Sequence, residues 1–110
     1  MSSPSGILIV TSDDVPEREI VQTLGLVRGS AVRGSHVGHD IFAWMKNLVG
    51  GEIDEYTKLM AEAREQALDR MAAEARAHGA DAVVGMRFAN NSIAKGAAEV
   101  LAYGTAVRLR

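Results

Sequence analysis

"YTKLMAEAREQALDRMAAEARAHG", residues 56–79, places Tyr56, Leu59, Met60, Ala63, Ala67, Met71 and Ala75 at helical spacing, an apolar stripe about five turns long. The opposite side, continued upstream, repeats Asp54, Lys58, Glu62, Gln66, Arg70, Glu74 and His78 at intervals of four. Such a row either recognises a partner or is a solvated face, where each i,i+4 pair contributes about 0.2–0.5 kcal/mol. We read it as solvated. His78-Gly79 supplies a helix stop. One long helix with one apolar stripe needs a second layer to cover it, and the flanking sequence says what that layer is.

Downstream, Ala82 to Phe88 alternates as a strand, Asn90-Asn91-Ser92 reads as the start of a loop, and Ala97 to Leu109 reads as a second long strand. These two strands form a hairpin. Upstream, Ile7 to Thr11 is a short β-branched run, ended by the turn residues Ser12-Asp13-Asp14-Val15-Pro16. Glu19 to Arg33 is apolar at alternate positions and contains Gly25 and Gly29, which favours a long strand bent at its glycines over a helix. Ile41, Met45, Leu48 and Val49 recur at helical spacing before Gly50-Gly51, so a short helix is expected there. The order is strand, strand, short helix, long helix, strand, strand. It describes an α+β fold in which a bent antiparallel sheet packs on one long helix.

The last strand is apolar on both sides. Leu101, Tyr103, Val107 and Leu109 face one way, and Ala98, Val100, Ala102 and Ala106 the other. One helix covers one face, and the expected elements leave none for the second, so another copy of the chain is expected to cover it. Gly25, Gly29, Gly85 and Gly104 inside strands mark bulges or close backbone approach, as tight subunit packing would require.

Composition narrows the function classes. At 110 residues the chain is one domain by length. Met1 to Gly6 reads as a flexible leader and residues 7–110 as a single domain; the leader has no basic residue and the run Ile7 to Val10 is too short for a signal peptide or a span. With no cysteine there is no disulfide or thiolate centre, which fits a cytoplasmic protein. A formal charge of −2, with one tryptophan, two tyrosines and two phenylalanines, offers neither a cationic stripe nor a stacking platform for nucleic acid.

"LGLVRGSAV" (24–32), "NLVGGEIDEYTKLMAEAREQALDRMAAEARAHGADAVVGMRF" (47–88) and "LAYGTAVRL" (101–109) resemble the YbjQ-like family of small bacterial and archaeal proteins, which carries a heavy-metal-binding label. The resemblance covers nearly the whole chain after the leader. It implies a dodecin-like subunit, a ring of five copies or stacked pentamers, and no established enzymatic activity. The resemblance further implies, for some members, acidic residues just after GADAVVG, where this chain has Met86-Arg87-Phe88-Ala89.

The metal candidates are in "SHVGHD", residues 35–40. His36 and His39 offer imidazole nitrogens and Asp40 an oxygen, three ligands for a divalent transition metal such as zinc, nickel or copper. The competing reading makes Asp40 an N-cap of the short helix, where its carboxylate accepts backbone N–H groups. A catalytic triad of Ser35, His36 and Asp40 is rejected, because no nucleophile elbow or oxyanion loop accompanies it. Gly50-Gly51-Glu52 lacks the spacing of a phosphate loop and reads as a hinge. Glu99 interrupts the apolar last strand and is expected to pair with Arg87 across the hairpin. Trp44, beside Phe42, either packs against the sheet or a neighbouring subunit, or stacks a flat flavin-like or nucleotide-like ligand.

Overall fold

The computed structural model describes residues 6–34, 52–94 and 97–110. Four strands and one helix make up that part of the chain: β1 (Leu8–Ile9), β2 (Ile20–Gly34), α1 (Glu52–Ala77), β3 (Ala82–Ala94) and β4 (Ala97–Leu109). The strands form one sheet in the order β1-β3-β4-β2. β4 is antiparallel to both β2 and β3, whereas β1 runs parallel to β3, with Leu8 opposite Ala82. The sheet is therefore mixed and not wholly antiparallel as expected. The cause is the length of connection between β1 and β3, which includes a helix and can return the chain in the same direction.

α1 ends as its sequence demands. Gly79 adopts φ +80, its amide donates to the Arg76 carbonyl at 3.0 Å, and the Ala80 amide donates to the Ala75 carbonyl at 3.0 Å. These are the paired bonds of a Schellman stop, accompanied by burial of both Ala75 and Ala80. His78 closes the same turn, with Nδ1 3.0 Å from the Glu74 carbonyl.

The apolar stripe of α1 lies over β2 and β4 and hardly reaches β3. Ala63, Ala67, Met71, Ala72 and Ala75 meet Val27, Ala31, Val100, Ala102 and Ala106 in the main core. The side chains are small because the layers are close. At Gly29, any Cβ would run into the Met71 nitrogen and the Ala67 carbonyl oxygen of the helix backbone.

β2 does not alternate strictly. Irregularities fall between Ile20 and Gln22 and between Thr23 and Gly25, where Gly25 takes φ +108. Each extra residue reverses which face the next one occupies. Leu24 therefore packs with Val27 against the main core, although simple alternation assigns Leu24 and Leu26 to one face.

Two further expectations are corrected. β3 continues through Asn90, Asn91 and Ser92 to Ala94, which pairs with Ala97, so the expected loop is strand. Cross-strand pairing outweighs the low strand propensity of those three polar residues. The second sheet face is also partly covered by the chain itself. Val15, with Leu8 and Val10, packs on Ala82, Val84, Val107, Ile20 and Leu109 as a separate small core. The expected short helix over residues 41–49 lies outside the described residues.

Candidate functional site

The hexapeptide carrying His36, His39 and Asp40, and Trp44 beyond it, lie outside the described residues. Among the described residues no group of three or more His, Cys, Asp or Glu side chains is placed to hold a metal ion. The third histidine, His78, is engaged at the C-terminus of α1. The described part of the chain thus does not fit a metal centre built within one subunit.

Glu99 and Arg87 are not partners. β3 and β4 pair so that Arg87 stands opposite Tyr103, and Asn91 opposite Glu99. Asn91 Nδ2 donates to Glu99 Oε1 at 3.5 Å, a long contact. Arg87 reaches the other way: one terminal nitrogen donates to the carbonyls of Thr11, at 3.1 Å, and Met86, at 2.8 Å. The continuous pairing from Ser92 opposite Ala98 to Arg87 opposite Tyr103 decides this register, and the bulge at Gly85, whose φ is +62, lies beyond it.

The edge of β2 is occupied by side chains of α1. The Arg28 amide donates to Glu74 Oε1 at 3.3 Å, and Arg70 donates to the Ser30 carbonyl at 2.6 Å. The pair satisfies one outward donor and one outward acceptor of an edge strand, which protects it from adding another strand. Beside it is an open concavity of about 430 Å³ lined by Arg28, Gly29, Ser30, Glu74, Glu99 and Leu101. Sequence periodicity gave Arg70 and Glu74 only as members of a solvated row, because no local signal says which strand edge a helix will flank.

The far edge is different. β1 pairs with β3 only at Ala82 and Val83, and the following stretch bonds to Val83, Gly85 and Met86. Among the described residues no strand lies beyond β3 from Phe88 to Ala94. Phe88 stands opposite Ala102 on the helix side of the sheet, in a strand that α1 hardly reaches, and is 38% exposed. No helix among the described residues is long and apolar enough to cross a membrane.

Against known families, residues 7–110 match a model described as "Putative heavy-metal-binding". The chain is 57% identical over 104 residues to the UPF0145 protein of Archaeoglobus fulgidus, covering 94% of this chain and 96% of that one. It is 52% identical over 103 residues to a UPF0145 protein of Photobacterium profundum, covering 94% and 100%. A crystal structure of a protein with unknown function from Pediococcus pentosaceus shares the fold, with a TM-score of 0.58 at 17% identity, over 96% of this chain and 99% of that one.

Proposed function

This chain belongs to the YbjQ-like family, and from that premise we propose a cytoplasmic, non-catalytic protein that self-associates and binds a divalent transition metal. The family description, matched over residues 7–110, carries the metal reading. His36, His39 and Asp40 are its ligands. His78 is held at a helix end, which leaves these two imidazoles and the adjoining carboxylate as the chain's nitrogen and oxygen set for a borderline-soft ion. Three ligands from one chain leave room for water or for a group from a second copy.

Self-association is supported by the stretch of β3 from Phe88 to Ala94, which has no neighbouring strand on its outer side among the described residues, and by the exposed Phe88 at its flank. An uncharged edge of this length, without proline, invites another chain. The assembly we propose is a ring of five copies or a stack of such rings.

Native mass spectrometry of untagged protein, as purified and after addition of zinc, nickel or copper, reads subunit number and bound mass together. A five-fold species that takes up one metal per chain, and loses it when His36 and His39 become alanine, is the expected result. A species that gains no metal mass in any of the three additions overturns the metal reading, and a monomer at micromolar concentration overturns the ring.

A further inference from the structure

Register and one hydrogen bond identify the unused backbone groups of β3. Tyr103 of β4 stands opposite Arg28 of β2 and opposite Arg87 of β3. The Arg28 amide points outward, to Glu74 of α1, so Arg28 and Tyr103 face each other without exchanging hydrogen bonds. Tyr103 therefore turns its amide and carbonyl toward β3, and Arg87 turns its own toward β4. Pairing is continuous from Arg87 to Ser92, so strand alternation sends the amides and carbonyls of Phe88, Asn90 and Ser92 outward. The residue before Arg87 agrees: the Met86 amide points out and donates to the Val10 carbonyl at 3.1 Å. β1 and the stretch after it cap this edge as far as Met86, and among the described residues nothing caps it beyond.

Backbone groups at this spacing fit another strand, and a second copy of the chain offers two sheet edges. The β2 edge is a poor match. Its Arg28 amide is held by Glu74 and its Ser30 carbonyl by Arg70, which takes two of the outward groups that a visiting strand needs. The β3 edge of the second copy is a good one. Phe88 to Ser92 contains no charge, no proline and no glycine, so two such stretches face each other without like charges and without a missing donor.

Resting on the self-association reading above, we propose that β3 pairs with β3 of a second copy, antiparallel about a two-fold axis between the two Asn90 residues. This register sets Asn90 opposite Asn90 and Phe88 opposite Ser92, so each of the three outward residues exchanges both its bonds with the second copy. It also lays a strand beside the Phe88 ring, which is 38% exposed in the single chain. A two-fold contact closes after two copies, so a ring has to form through another surface. Of the assemblies proposed above, the pairing selects rings stacked in pairs.

The chain has no cysteine, so single-cysteine variants report one position each. Residues paired in this way have Cα atoms about 5.5 Å apart, within reach of a disulfide. On oxidation with diamide, Asn90→Cys should give a two-chain product on a non-reducing gel at least about tenfold faster than Val32→Cys, a control on the exposed edge of β2. Asn90→Pro removes an outward amide and no bond to β4, a change that an edge strand tolerates. It should halve the sedimenting mass and leave the far-ultraviolet circular dichroism intact. If the wild-type protein sediments as an assembly, yet Asn90→Cys cross-links no faster than Val32→Cys or folded Asn90→Pro keeps the full mass, the β3 pairing is overturned and self-association stands. A wild-type monomer at micromolar concentration overturns both.

Discussion

Gly29 and Gly79 are both glycines at α1, yet they should respond differently to alanine. At Gly29 the methyl group meets helix backbone, which cannot rotate away, so the layers must separate. We expect Gly29→Ala to cost about 3 kcal/mol or more in urea unfolding. At Gly79 the space is open and only φ +80 opposes a side chain. Gly79→Ala should cost about 1 kcal/mol, the penalty of a left-handed residue without further clash. The sequence marked Gly79 as a helix stop, but it presented Gly29 only as one of several strand glycines. Arg87 and Glu99 illustrate the same limit, since both lie on the hairpin but the pairing carried from the turn sets Arg87 opposite Tyr103, four residues from Glu99. A double-mutant cycle on Arg87→Ala and Glu99→Ala should show additivity within about 0.5 kcal/mol. Coupling above about 1 kcal/mol would contradict the register.

The elements differ in how their edges are finished. β2 is guarded by Arg70 and Glu74, whereas the far half of β3 has no such guard among the described residues. Replacing Arg70 and Glu74 together by alanine should lower stability by about 1–3 kcal/mol and expose the amide of Arg28 and the carbonyl of Ser30. Hydrogen exchange at Arg28 is the direct readout, and unchanged protection there would show that the helix side chains do not guard the edge. α1 was legible because its stripe persists for many turns and its stop has a specific glycine. The end of β3 was not, because Asn90, Asn91 and Ser92 have turn-like preferences that β4 overrides by pairing with them.

For the whole molecule, the expectation of an entirely uncovered second face gives way to a divided one. Val15 and its neighbours close one end, and beyond them the face mixes Leu26, which is 63% exposed, with charged and polar groups. Phe88 therefore carries more of the self-association proposal than the sheet face does. Phe88→Asp should lower the subunit number seen by sedimentation velocity while leaving the far-ultraviolet circular dichroism of the chain intact. An unchanged sedimentation coefficient would remove Phe88 and the adjoining edge from the interface.

The sequence by itself determined the α+β class, the extent of the long helix, the limits of the last strand and membership of the family. Those depend on periodicity, on local stop signals and on motifs that are contiguous in the chain. Only the tertiary structure decided that the sheet is mixed, that the helix backbone rests on Gly29, and that Arg28, Tyr103 and Arg87 stand in one row. Each of these depends on strand order or register, and register is set by bulges and by pairing between segments far apart in the chain, which no local pattern encodes.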